Sequence, residues 1–380
     1  GHSTGGLVTR AYIQSDAYNE KYEGNKRLPA INRFIMLDVP NQGASKPWNP
    51  LHDDWGFDTS YKALSKFPKM AFLKLAQGET IHGPEYDIKA GALPDTEQVK
   101  YVRAEVDADG NLSGDTVRFI NLFIPTMRTL LATYEFLDRG DGTLTSVNAD
   151  ENDRNWLALD LNGGTDPNSF AGHVGQAVTV FGDEVDTATS VLEERCFVLY
   201  CPDRFSILDG ARDSDRFTGE TYWTDIKNRE LPDGTTEYGD DTVPYVSLAG
   251  QFVNDSRVIM SRWVESGLFG GGNTSDGVKH TEIVANPDVQ RAILEFLGND
   301  PTGIEISEDS QTTYSTLGTL WTLISDPVEA ILIDANGKRL GYSRATGVLT
   351  EIPNSVYVGE EDGIGFIFGS VATPVRLEVV

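Results

Sequence analysis

Residues 1–5 read Gly1-His2-Ser3-Thr4-Gly5, a Gly-x-Ser-x-Gly pattern. That spacing suits a tight turn from a strand into a helix, with the serine hydroxyl held out at the turn. The pattern therefore demands a strand before it, a helix after it and a sheet around it. Leu7, Val8, Ala11 and Tyr12 follow at helical spacing, and Gly5 and Gly6 let such a helix pack close to a sheet. The pattern normally lies in mid-domain. With no initiator methionine and no strand ahead of it, the reading predicts that the chain starts inside a larger protein.

The next segment continues the theme. Residues 32–39 (Asn-Arg-Phe-Ile-Met-Leu-Asp-Val) are mostly apolar and are closed by Pro40-Asn41-Gln42-Gly43, as expected of a buried parallel strand that ends in a turn. Helix followed by strand is the rhythm of an open α/β sheet. Residues 45 to about 118 break that rhythm with tryptophans, glycines and prolines around one amphipathic helix near 60–77, and read as an inserted lid or cap. Trp48, Trp55 and Phe57 in it suit either a lipid entrance or half-buried packing. A second helix is predicted near 119–137, a third near 169–181 and a closing one at 288–297, ending at Gly298. Between them lie an acidic loop at 140–155, buried-strand candidates at 195–200 and 258–263, and a possible hairpin between 221–225 and a strand before Tyr238.

Bulk properties narrow the function classes. At 380 residues the chain exceeds the roughly 250 to 300 residues that one core supports, which predicts two domains. No apolar run approaches the roughly 18 residues of a spanning helix. The net charge is −27, from 58 acidic and 31 basic side chains. A surface so negative repels phosphate backbones, which argues against nucleic acid as a partner and fits an extracellular or salt-adapted protein. Two cysteines, Cys196 and Cys201, are too few for a zinc site or a disulfide scaffold, and the strand-like Phe-Val-Leu-Tyr between them argues against pairing.

The character changes at residues 299–303, Asn-Asp-Pro-Thr-Gly, a linker signal. Beyond it, 328–334 and 338–342 alternate in strand fashion around Asp334-Ala335-Asn336-Gly337, a hairpin turn, and further runs at 355–358, 363–370 and 375–380 predict a small all-β module. A non-catalytic module of this kind suits tethering to a surface or polymer. The domains are thus expected at 1–300 and 303–380. Asp107-Ala108-Asp109-Gly110-Asn111 resembles the start of a calcium loop, but it lacks the full acidic spacing and the distal glutamate, and a hairpin turn explains it better.

A serine hydroxyl needs a histidine to take its proton and a carboxylate to orient that histidine. Of five histidines, His2 precedes the serine and reads as structural, His52 and His82 lie in the insertion, and His173 lies in a predicted helix. His280 ends a glycine-rich loop directly before the closing helix, where an α/β-hydrolase presents its base. The acid is sought between the serine and that histidine. Gly239-Asp240-Asp241-Thr242-Val243-Pro244 supplies it, with Asp240 favoured and Asp241 its near rival, while Gly140-Asp141-Gly142-Thr143 reads as a loop.

Taken together, Gly1-His2-Ser3-Thr4-Gly5-Gly6-Leu7-Val8 with Arg10-Ala11-Tyr12, Met36-Leu37-Asp38-Val39-Pro40-Asn41-Gln42-Gly43, Gly239-Asp240-Asp241-Thr242-Val243-Pro244 and His280 resemble the lipases and acyltransferases of the lecithin:cholesterol acyltransferase-like group. The resemblance spans roughly residues 1–300. It implies an α/β-hydrolase fold entered at the nucleophile elbow, with a lid insertion, followed here by the β module. It implies Ser3 as nucleophile, Asp240 as acid, His280 as base and the Thr4 N–H as one oxyanion donor, the second coming from an upstream loop. The expected substrate is a lipid or other carboxylic ester. The expected products come from hydrolysis, or from acyl transfer to an alcohol, with no cofactor and no metal, in a secreted protein that touches a lipid interface or cell surface.

Overall fold

The computed structural model describes residues 1–22, 26–56, 59–83, 85–151, 153–164, 166–195, 206–208, 222–227, 237–264, 273–275, 277–299, 320–324, 330–353, 355–358, 364–368 and 375–379. The chain divides into two compact units. One comprises Gly1–Asn49, Pro125–Pro202 and Asp215–Ser310, and the other Pro50–Ile124, Asp203–Ser214 and Gln311–Val380. Among the described residues, no helix is long and apolar enough to cross a membrane.

The first unit is organised by a four-stranded, wholly parallel sheet. Its elements in chain order are helix α1 (Thr4–Gln14), strands β1 (Arg33–Leu37), β2 (Gln176–Asp183), β3 (Val258–Val264) and β4 (Asn273–Thr274), and helix α2 (Pro287–Phe296). Strand β2 lies between β1 and β3, with Val180 beside Leu37 and Gly182 beside Trp263, and β4 flanks β3. Residues 1–3 run along the outer edge of β1. The Gly1 carbonyl accepts from Leu37 N–H at 2.9 Å, and Ser3 N–H donates to the Leu37 carbonyl at 2.9 Å.

Alternation along β1 sends Phe34 and Met36 to one face and Ile35 and Leu37 to the other. On the first face they meet Leu7 and Ile13 of α1, whose buried positions Gly6, Leu7, Arg10 and Ile13 recur every three residues or so. On the second face Leu37, Val178 and Val180 meet Val289 of α2 and Ile283 before it. Each such side chain contributes about 1.5–3 kcal/mol when fully buried. Helices cover both faces, which explains why β2 is buried at every position after Gln176. Helix α2 starts cleanly because Asn286 caps it, accepting from the N–H groups of Asp288 and Val289, with Pro287 in its first turn.

Several sequence expectations shift. The helix expected near 169–181 is a short 3₁₀ turn, Ser169–Gly172, followed by β2. The β-branched run Val178-Thr179-Val180 favours extension, and its apolar positions are continuous because both faces are covered. The helix expected near 119–137 is Thr116–Phe123 followed by a separate short helix, Pro125–Arg128, because Pro125 breaks the first and opens the second, and Leu137–Asp138 is a strand. The helix at 60–77 is two, Thr59–Leu64 and Lys66–Ala76, divided at Ser65. Tyr222–Lys227 pairs antiparallel with Ser190–Arg195, and the partner strand expected before Tyr238 lies outside the described residues. Cys196, Cys201 and the strand read at 196–200 lie outside the described residues, as does Phe57. Trp48 and Trp55 are fully buried, so packing accounts for both.

In the second unit, the ring of Phe119 stacks on Phe123 and meets Phe72 edge-on, and Phe67 packs tilted against Phe123. Residues 107–111 form the turn of a hairpin between Ala104–Val106 and Leu112–Gly114, with Asp107 accepting from the N–H groups of Asp109 and Asn111. Residues 320–379 contribute two antiparallel sheets of three and four strands around Leu332, Leu340, Ile352, Tyr357 and Ile367.

Candidate active site

Every polar group of the site sits just beyond the carboxyl end of a parallel strand, where open α/β sheets place their ligand sites. Ser3 comes first. It joins the edge segment to α1 with φ 52° and ψ −133°, a conformation L residues rarely hold. Two glycines let that turn close: a Cβ on Gly1 would come within 2.8 Å of the Gly5 carbonyl oxygen, and a Cβ on Gly6 within 2.1 Å of the Val39 side chain. Gly5, by contrast, faces open space, so Gly6 rather than Gly5 permits the close packing of helix on sheet.

The three predicted residues meet. His280 Nε2 lies 3.0 Å from Ser3 Oγ, and His280 Nδ1 lies 2.7 Å from Asp240 Oδ2. Asp240 is fully buried and His280 nearly so. Asp240 Oδ1 accepts from the N–H groups of Thr242 at 3.0 Å and Val243 at 2.6 Å. The loop that carries Asp240 is anchored to the chain leaving β2, where Val185 and Gly239 exchange both backbone hydrogen bonds. The loop that carries His280 is tied to the same point, since His280 N–H donates to the Asp240 carbonyl at 2.7 Å.

The adjacent carboxylates, equivalent in sequence, differ in place. Asp241 has φ 76°, its carboxylate accepts from the Thr242 hydroxyl at 2.7 Å, and its N–H donates to Thr187. Asp141 caps a turn, accepting from Thr143 N–H at 2.9 Å. His2 Nε2 donates to the His280 carbonyl at 2.9 Å, and the two rings lie 5.0 Å apart. Partial burial lowers the His2 pKa and keeps the ring neutral. His82 pairs with Asp87 in the second unit. Thr4 opens α1, so its N–H is among the first-turn donors that have no acceptor within the helix.

Three contributors have no role in the sequence reading, although Arg10 and Asp38 stand within its motifs. Gly182 in β2 is one: a Cβ there would lie 1.8 Å from the Val278 carbonyl oxygen, so only glycine lets the histidine loop cross the strand. Arg10 is another. It is wholly buried with Leu7 and Ile13 of α1, donates to Asn41, Asn162 and the Leu161 carbonyl, and lies over the rings of Phe170 and Phe252. Desolvation pulls it down to about 9, which leaves it a cation at neutral pH. The third is Asp38, at the end of β1, fully buried with φ 46°. Its Oδ1 accepts from Gly182 N–H at 2.9 Å. A carboxylate between apolar neighbours, Leu37 and Val39, was the available signal.

His2, Asp38 and His280 also bring one potential ligand atom each within 4.8 Å of one another. Both ring nitrogens of His280 are already engaged by Asp240 and Ser3, and His2 Nε2 by the His280 carbonyl. The cluster is a hydrogen-bonded network in which a cation would have to displace the serine or the acid. In comparisons with protein-family models, curated proteins and solved structures, nothing matches this chain.

Proposed function

We propose that this protein is a serine hydrolase with an α/β-hydrolase arrangement, cleaving carboxylic esters of the lipid class through an acyl-serine intermediate. The observation that carries the reading is the unbroken path Ser3 Oγ to His280 to Asp240, built on a serine with positive φ at a strand-to-helix turn. Such strain clusters where the surrounding structure holds a reactive group in place.

In the proposed reaction, His280 Nε2 removes the proton of Ser3 Oγ as that oxygen attacks the ester carbonyl. Asp240 stabilises the imidazolium and fixes the ring with Nδ1–H toward the carboxylate. The Thr4 N–H donates to the oxyanion, and one such donor is worth about 10² to 10³ in rate. Collapse of the tetrahedral intermediate breaks the ester C–O bond, and His280 returns its proton to the leaving alcohol. Water, activated by the same histidine, then releases the acid. An alcohol in place of that water gives acyl transfer, the alternative the sequence resemblance allows.

The test is treatment with a fluorophosphonate and assay on p-nitrophenyl esters. Labelling at Ser3 with turnover of the esters is expected, and neither labelling nor turnover would reject the reading. Product analysis with water and a sterol or glycerol acceptor in competition separates hydrolysis from transfer.

A further inference from the structure

Asp240 has room for one more donor than the triad supplies. An ionised carboxylate offers about four acceptor sites on its two oxygens. Three are taken here, by Thr242 N–H, Val243 N–H and His280 Nδ1. Facing it is Asp38, whose Oδ1 is satisfied by Gly182 N–H while Oδ2 is fully buried with no hydrogen-bond partner among the described residues. Two ionised carboxylates have only acceptors to show each other. A proton on one of them removes both deficits at once.

We propose that Asp38 is a proton-bearing positioning residue, holding a proton on Oδ2 at neutral pH and donating it to the Asp240 carboxylate, which is thereby locked in the orientation His280 requires. The role of His280 as base rests on the function proposed above; the shared proton itself does not.

The surroundings agree. The charged or titratable groups that bear on Asp38 are Asp240 and Asp241 from the acid loop, His2 from the elbow and His280 from the histidine loop. Among the described residues Asp38 makes no salt bridge. Burial first, and the negative charge of Asp240 second, push its pKa well above the usual carboxylate range. The backbone suits the role as well, since Asp and Asn tolerate left-handed φ better than other side chains.

Asparagine reproduces a protonated aspartate: its oxygen accepts from Gly182 and its amide donates to Asp240. In Asp38→Asn of the full chain, histidine NMR should give a His280 titration midpoint that is unchanged. If Asp38 were ionised, removing its charge would lower that midpoint by about one unit or more, the size of a close like-charge effect, and the proposal would fall.

Thermal unfolding against pH gives a second readout with a defined sign. Unfolded Asp38 loses its proton near 3.8 whereas the folded group keeps it, so the wild type loses stability as pH rises from there through the folded pKa. Asparagine has no proton to lose. The melting temperatures should match near pH 4 and separate in favour of Asp38→Asn by several degrees at pH 8; a gap that does not change with pH counts against the idea.

Asp38→Gly, which suits φ 46°, withdraws the donor without a surrogate and should raise the His280 midpoint, with ester turnover falling about 10-fold; an unmoved midpoint in this variant also overturns the proposal. Infrared difference spectra of wild type against Asp38→Asn should show a carboxylic-acid carbonyl band at neutral pH in the wild type alone, and no difference band rejects the shared proton. If esters are not turned over at all while the titration, melting and infrared results hold, the hydrolase reading fails and the shared proton stands.

Discussion

Two turns of this protein need a left-handed residue and meet the need in opposite ways. In the hairpin between Ala330–Ile333 and Arg339–Ser343, glycine holds it: Gly337 has φ 77°, and Asp334 ties the turn by accepting from the N–H groups of Asn336 and Lys338. At the elbow the serine holds it, with φ 52°, although Gly1 and Gly5 stand two residues away on either side. The pattern is broader than two residues. Among the described residues, every positive φ in 320–379 falls on glycine, while the site places Ser3, Asp38 and Asp241 in that region. Where a turn only reverses the chain, glycine takes the strain at little cost. At the elbow a side chain must be presented at one point, so the serine itself takes the strain, and packing restrains it.

The largest effect that would sharpen this contrast is on chemistry. Ser3→Ala keeps the fold and should lower kcat by about 10⁴ or more while abolishing fluorophosphonate labelling, measured by steady-state ester assay and mass spectrometry. Comparable turnover in that variant would remove Ser3 from the site. Next in size is Gly182→Ala. Its Cβ would lie 1.8 Å from the Val278 carbonyl oxygen, so the histidine loop must move. Misplacement of that order costs about 10² in kcat/KM, and unchanged kinetics would show that the loop has slack the geometry denies.

The smallest effects test the contrast itself. Ser3→Gly should be more stable than Ser3→Ala by about 1 kcal/mol, because it relieves strain of about 1–3 kcal/mol at the cost of added backbone freedom. Gly337→Ala should lose about 1 kcal/mol for the same backbone reason, with no steric component, since nothing lies near the added methyl. Urea unfolding of the three variants and the wild type decides it, and an alanine as stable as glycine at either position would break the comparison.

Much of the site was legible because its parts obey local rules. The elbow spacing, the apolar run before Asp38 and the glycine-rich stretch before His280 each carry their own signature, and chain order links them. Strand β2 was read as helix because a strand covered on both faces loses its alternation and looks like any apolar run. Asp38 and Gly182 have no role in the sequence reading because what makes them matter is who sits opposite. Asp38 is 144 residues from Gly182 along the chain and further still from Asp240, and only strand pairing and the meeting of loops beyond the sheet bring them together.

By itself the sequence determined which polar side chains stand at turns and loops, and in what order along the chain, because a turn, a helix start and a hairpin are decided by residues within a few positions of one another. Only the tertiary structure decided between Asp240 and Asp241, made Gly182 indispensable and set Asp38 against the triad acid. Those outcomes depend on distances across strands and loops that meet far apart in sequence, where adjacent carboxylates with the same local chemistry end in different surroundings.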